Sequence, residues 1–224
     1  MKRLLLFFVC AALVCPLALA LFAGCAREGE RSTYTIDAAY EDGTLTAEMT
    51  FGYCNDTGAE QEELRFNLCG NAYREGAAYA PVSKNFAASA YYAGESYGEM
   101  RISSVSPCAE WEVCGADENV LRVRLASPVP AGGRCEISVA YTLTLANVDH
   151  RTGVTEHTVN LGNFYPVLCV WEAGSGYREC VYASNGDPFY SACADYAVSL
   201  TVPASYTAAS SGTVAAAEES GGRR

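Results

Sequence analysis

Between Tyr34 and Tyr53 the chain sets an apolar residue at every second position: Tyr34, Ile36, Ala38 and Tyr40, then Leu45, Ala47, Met49, Phe51 and Tyr53. A period of two is the spacing of side chains on one face of a strand, so each run predicts a strand with one face in a core and the other in water. Glu41-Asp42-Gly43 separates the runs and supplies the residues that a tight hairpin turn needs. The pattern returns at Leu64, Phe66 and Leu68, after the polar turn Asn55-Asp56-Thr57-Gly58. Leu121, Val123 and Leu125 alternate with Arg122 and Arg124, and Ile137, Val139, Tyr141 and Leu143 follow a Pro128 to Gly133 loop. These two runs predict a second hairpin. Tyr196, Val198, Leu200 and Val202 form a last strand, stopped by Pro203. No window of a dozen residues carries a helical stripe, and the alanine-rich stretch 71–93, interrupted by Gly76 and Pro81 and followed by Gly94, predicts a long loop with at most one short turn. The fold class this implies is all-β, a mostly antiparallel β-sandwich or saddle-like sheet over residues 33–207.

The residues before this domain have a different purpose. Lys2 and Arg3 precede an uncharged run from Leu4 to Gly24 that ends at Cys25, the layout of an export signal. Leu21-Phe22-Ala23-Gly24-Cys25 resembles a bacterial lipobox, which implies lipidation of Cys25 as the mature N-terminus. The alternative is an uncleaved anchor, with Pro16 in the middle of its helix. Both readings leave the rest of the chain outside the cell, because positive charge favours the cytoplasmic side. The expectation is a domain on the outer face of the cytoplasmic membrane, held by a lipid anchor. Residues 1–25 are thus signal, 26–32 linker, and 208–224, small and polar with Val214 the only large apolar residue, a disordered tail or a truncation end.

Charge narrows the partners. The formal net charge is −11, and removing Lys2 and Arg3 takes it to −13. Nucleic acid needs basic surface to replace phosphate counterions, so it is not an expected partner. Anionic headgroups repel such a surface, which leaves the lipid to make the membrane contact.

Of the 11 cysteines, Cys10 and Cys15 fall in the signal and Cys25 carries the lipid, leaving eight in the domain. An exported chain with eight cysteines raises the question of disulfides. Cys135 opens an alternating strand and reads as a buried thiol acting as a small hydrophobe. Cys54 and Cys69, on consecutive strands, would sit at opposite ends of a direct hairpin. Mostly free or adventitiously paired thiols are expected. No pair is spaced C-x-x-C, and His150 and His157 stand seven residues apart without a cysteine at zinc-ribbon spacing, so no metal site is expected.

Catalytic signatures with specific spacing, H-E-x-x-H, G-x-S-x-G, the P-loop and G-x-G-x-x-G, do not occur. Asp149-His150 is no dyad, since neighbouring extended residues point to opposite sides. Asn55-Asp56-Thr57 has the form of a glycosylation acceptor, which a bacterial signal makes irrelevant. Tyr73, Tyr79, Tyr91, Tyr92 and Tyr97 crowd one stretch, either packed on the sheet or exposed as a sugar platform.

Several segments, in order, resemble a known family: Leu64-Arg65-Phe66-Asn67-Leu68, Asn71-Ala72-Tyr73-Arg74-Glu75-Gly76, Ser96-Tyr97-Gly98, His150-Arg151-Thr152-Gly153, Asn163-Phe164-Tyr165-Pro166-Val167-Leu168, Gly186-Asp187-Pro188-Phe189-Tyr190-Ser191 and Ala194-Asp195-Tyr196. Together they are similar to the N-terminal β domain of the aminopeptidase N family of zinc metallopeptidases, in its bacterial membrane-associated branch. The resemblance runs from about Tyr34 to about Thr213.

In that family zinc is held by H-E-x-x-H and a downstream glutamate, and the catalytic base belongs to the same motif, all in a following helical domain. The resemblance therefore implies no catalytic residue, no metal ligand and no cofactor in this chain, with zinc only in a catalytic domain that would follow. It implies a scaffold that packs on such a domain and helps wall the cleft for a peptide substrate. Arg151, Asn163, Phe164, Tyr165 and Pro166 are the candidate interface residues, since a residue before proline is extended and suits an edge facing another domain. Many members also place a glutamine or glutamate near the substrate amine, and around Leu161 to Tyr165 only Asn160 and Asn163 offer an amide. The family domain continues for a few strands beyond the segment matching Tyr206 to Val214, so a truncated gene product is expected. The alternative function is a stand-alone surface lipoprotein that binds a ligand or protein partner through its β-sandwich.

Overall fold

The structure, a computed structural model, describes residues 31–186 and 189–224. The signal, Cys25 and most of the linker lie outside the described residues, as does the Asp187-Pro188 turn. From Ser32 onward the chain is one compact unit.

The first predicted hairpin forms from β1 (Thr33–Glu41) and β2 (Thr44–Cys54), paired antiparallel with Glu41 opposite Thr44. Asp42 and Gly43 between them both take positive φ, 44° and 80°, the geometry whose twist matches that of the flanking strands. Burial alternates residue by residue along both strands. The chain then leaves this sheet. β3 (Gln61–Asn67) joins a second one, and after a 3-10 turn (Cys69–Tyr73) and one short helix, α1 (Ala87–Ala90), β4 (Glu99–Ser106) returns to the first. β5 (Glu110–Cys114) and β6 (Val120–Val129) complete the second sheet, and β7 (Arg134–Thr144) fills the centre of the first. Short pairs follow: β8 (Thr152–Val154) with β9 (Val159–Leu161), β10 (Val167–Leu168) on β3, and β11 (Val170–Glu172) with β12 (Gly176–Arg178). The last strand, β13 (Asp195–Thr201), pairs in parallel with β1. One sheet thus reads β13-β1-β2-β7-β4 and the other β10-β3-β6-β5. Among the described residues every other strand pair is antiparallel, so the all-β, sandwich-like expectation stands.

One core joins the two sheets. Ile36, Met49, Phe51, Val139 and Leu143 from one side meet Leu64, Phe66, Leu121 and Val123 from the other, all at most 1% exposed. Phe51 and Phe66 cross edge to face, with ring centroids 5.2 Å apart. Two aromatic rings in that arrangement gain about 1 kcal/mol beyond the area they bury.

The second predicted hairpin is corrected. β6 bonds to β3 and β5 while β7 bonds to β2 and β4, so the Pro130 to Gly133 connection carries the chain between sheets. Alternation alone fits both a hairpin and a sandwich crossing, and a side chain elsewhere decides. Asn55, fully buried where β2 ends, donates from Nδ2 to the carbonyls of Ala59, Val129 and Pro130 at 2.8, 2.9 and 3.0 Å. Its backbone N–H reaches Gly133 O at 3.0 Å and its carbonyl accepts from Gly132 N–H at 2.8 Å. One asparagine therefore ties both crossings together, the outgoing one after β2 and the returning one before β7. The same crossing removes the hairpin geometry in which Cys54 and Cys69 were compared, although both are free thiols.

Val202 and Arg224 exchange two backbone hydrogen bonds of 2.8 Å, and Arg223 Nη2 donates to Tyr40 O at 3.0 Å. The end of the segment read as disordered is hydrogen-bonded to the edge of the sheet.

Candidate functional site

Three buried or half-buried asparagines assemble the loops on one side of the sandwich. Asn67 Oδ1, at the end of β3, accepts from Cys180 N–H at 2.9 Å, and Asn119 Nδ2 donates to Cys180 O at 3.0 Å. Asn71 in the 3-10 turn donates to Glu118 O at 2.6 Å and accepts from Met100 N–H at 2.6 Å. The loop after β12 is thereby clipped onto β3 and onto the turn before β6. Together with Asn163 and Val167, these loops enclose a cavity of about 20 Å³ that Leu68, Cys69, Tyr182 and Phe189 also line. That is room for about one water molecule, too little for a metabolite.

Beside the cavity stands a polar and aromatic cluster. Tyr73 Oη and His150 Nδ1 share a hydrogen bond of 2.7 Å, and Tyr182 Oη lies 3.4 Å from Tyr73 Oη. Asn160 Nδ2 donates to His150 O at 2.8 Å. Burial, with the Arg151 charge next to it, lowers the His150 pKa, Asp149 opposing, so the imidazole favours its neutral form. Burial raises the Tyr73 pKa. It also pushes the Cys69 thiol up to about 12 and raises the pKa of Cys169 and Cys180. The imidazole and the phenol, joined by their hydrogen bond, tie the 3-10 turn that ends at Tyr73 to the His150 loop. The thiols lack the lowered pKa of an activated nucleophile, and Tyr73, whose pKa burial raises, shares its hydrogen bond with His150 Nδ1.

The residues expected at an interface divide into two groups. Arg151 is exposed, its guanidinium 5.5 Å over the Phe189 ring and its Nη2 donating to Gly186 O at 3.3 Å. Asn163 takes a positive φ of 48°, a conformation asparagine tolerates better than most residues, and lines the cavity. Phe164 and Tyr165 turn the other way. Their rings meet at 5.4 Å, and Tyr165 touches Tyr34 at 5.3 Å and Tyr196 at 5.8 Å, near the β13 edge. Pro166 is buried within this chain and contributes no free surface. Arg151 overlies Phe189, which lines the cavity with Asn163, whereas Phe164 and Tyr165 meet ring to ring.

Tyr182 and Asn119 escaped the sequence reading, whereas Asn67 and Tyr73 were marked as members of the resembling segments. Asn67 lies opposite the apolar face of Leu64, Phe66 and Leu68 and is nevertheless buried, which the alternation does not reveal. Of the crowded tyrosines, Tyr73 is buried, while Tyr79, Tyr92 and Tyr97 are 44, 48 and 45% exposed. Among the described residues no ring contact joins these three, so they do not form one platform. His157 lies exposed beside Glu156. Among the described residues, no group of three His, Cys, Asp or Glu side chains is placed to hold a metal ion. No helix there is long and apolar enough to cross a membrane.

No family model matches the chain, and no curated protein matches it. Its neighbours among solved structures are M1 zinc metallopeptidases. One is a mutant enzyme from Deinococcus radiodurans bound to a Tyr-Ser-Ala substrate, with 17% identity and a TM-score of 0.47. Another is a two-domain M1 zinc metallopeptidase mutant bound to L-tryptophan, with 17% identity and a TM-score of 0.49. The Deinococcus radiodurans M1 zinc metallopeptidase itself has 15% identity and a TM-score of 0.47. Each alignment covers 87% of this chain and 37% of the other, so the chain spans little more than a third of their length.

Proposed function

We propose that this chain is a non-catalytic β scaffold, the N-terminal domain of a surface zinc aminopeptidase-like protein. One observation carries this reading. Segments far apart in sequence that share the family resemblance, around Asn67 to Ala72, Asn163 to Val167 and Phe189 to Ser191, line a common cavity, with His150 hydrogen-bonded to Tyr73 beside it. Segments of the resemblance that fold into one loop layer fit a supporting surface, and Tyr73 and His150 in that layer are joined by a hydrogen bond. Zinc and its catalytic base belong, on this reading, to a following domain. Arg151, Asn163, Phe164 and Tyr165 flank the surface that would face it.

The coding DNA after codon 224 tests this reading. An H-E-x-x-H motif there, in frame or one frameshift away, is the expected result. A clean terminator followed by an unrelated gene favours a stand-alone lipoprotein instead.

Residence on the outer face of the membrane belongs to the same proposal and rests on Lys2, Arg3 and the segment ending at Cys25. The chain is expected to partition with membranes and to take up labelled fatty acid, and Cys25→Ser is expected to abolish both the label and signal processing. Unchanged labelling and processing in that variant contradict the anchor.

A further inference from the structure

Along β3, Leu64 and Phe66 face the core, which puts Arg65 and Asn67 on the outer face of that sheet. β10 sets Val167 opposite Asn67, and Cys169, two residues on, donates its N–H to Arg65 O at 2.8 Å and so belongs to the same face. The segment after β12 lies across this face. Arg65 Nη1 donates to Glu179 Oε1 at 2.5 Å, and Asn67 Oδ1 accepts from Cys180 N–H at 2.9 Å. Asn119 Nδ2 donates to Cys180 O at 3.0 Å, so the Cys180 backbone is held on both sides. Its thiol makes only a weak contact, 3.8 Å, with Arg178 O. Cys69, two residues beyond Asn67, lines the cavity of about 20 Å³ together with Cys180. A space of about one water molecule sets its walls a few ångströms apart, within reach of a disulfide, whose Cα atoms stand about 4.4–6.8 Å from each other. Burial pushes the Cys69 thiol up to about 12, with Asn163 opposing and a Cys180 thiolate adding, an effect of nearby sulfurs.

We propose that Cys69 and Cys180 are a disulfide-forming pair, oxidised by exchange with a small-molecule disulfide. Cys180 reacts first, because it is half-buried between exposed Glu179 and Val181, while burial keeps Cys69 almost wholly a thiol at neutral pH. The Cys180 thiolate attacks one sulfur of the reagent RSSR, forming the mixed disulfide and releasing a thiolate that takes up the proton Cys180 lost. The Cys69 thiolate then attacks the Cys180 sulfur, and the second reagent thiolate leaves and takes up the proton Cys69 lost. Two protein thiols lose two electrons, and RSSR becomes two thiols. Few Cys69 thiolates exist at any moment, but the mixed disulfide holds the reacting sulfurs together, which raises their effective concentration. Cys169 is the competing thiol, 1% exposed on the same face and outside the cavity lining. The bond joins the 3-10 turn to the loop after β12, the junction that Asn67 and Asn119 already fasten, so the sandwich itself need not rearrange.

The test uses the full chain, purified in reductant, freed of it and incubated with oxidised glutathione. Remaining thiols are alkylated, and the protein is digested and mapped by mass spectrometry without reduction. A peptide pair joined through Cys69 and Cys180 is expected. The same oxidation in urea is the reference, since random pairing among the eight thiols of the domain gives any one pair about a one-in-seven share. In the folded chain the share should be about fivefold that value. Cys180→Ser is expected to remove the link and Cys193→Ser, at an exposed position, to leave it unchanged. Three results overturn the proposal: Cys180 held as its glutathione adduct with Cys69 alkylated, Cys180 linked chiefly to Cys169, or a Cys69 to Cys180 share no higher in the folded chain than in urea.

Discussion

Asn55→Ala is expected to lower the stability of the purified domain by about 3 kcal/mol, because two chain crossings lose the side chain that joins them. The carbonyls of Val129 and Pro130 accept from Asn55 Nδ2, and Thr57 N–H and Oγ1 donate to its Oδ1 at 3.1 and 2.7 Å. Alanine removes all of these from a site with no exposure, and a buried carbonyl left unpaired forfeits its solvation as well as its bond. Urea unfolding of residues 26–224 measures the loss, with Asp56→Ala, one residue away and exposed, as the control expected within about 0.5 kcal/mol of the parent. An Asn55→Ala midpoint as close to the parent as that of the control contradicts the stitch.

Phe66→Ala is expected to cost about 4 kcal/mol, since it opens a cavity between the two sheets. Phe66 has no exposure and sits edge-on to Phe51 across the core. Each phenylalanine comes from a different sheet, so the pair reports on whether the sheets pack at all. A double-mutant cycle with Phe51→Leu and Phe66→Leu should return a coupling of about 1 kcal/mol. Additive losses at these two positions, with no coupling, mean that the rings do not meet.

Strand existence was legible from the sequence, because the faces of β1, β2 and β7 alternate without interruption and a period of two has one reading at that length. Partner choice was not. The β6 to β7 step looks like a hairpin in sequence because inward residues alternate in the same way whether the next strand lies beside the last or opposite it. What separates the cases is Asn55, a short polar residue in a turn whose bonds reach across 74 and 75 positions to Val129 and Pro130. No local pattern reveals such a reach. The candidate site was legible only in part for a similar reason. Arg151, Asn163 and Tyr73 were marked by the segments they belong to, whereas Tyr182 and Asn119 acquire their roles from loops that meet only in the fold. The alternation at Tyr196, Val198 and Leu200 marked a strand but not its exposure, for Tyr196 and Val198 are 47 and 51% exposed in the last strand of the sheet.

The zinc content of purified residues 26–224, determined by elemental analysis alongside an assay of aminoacyl-substrate hydrolysis, tests the central claim most directly. A scaffold without the H-E-x-x-H motif should hold no stoichiometric zinc and release no amino acid. One tightly held zinc per chain, with hydrolysis that depends on it, contradicts that claim.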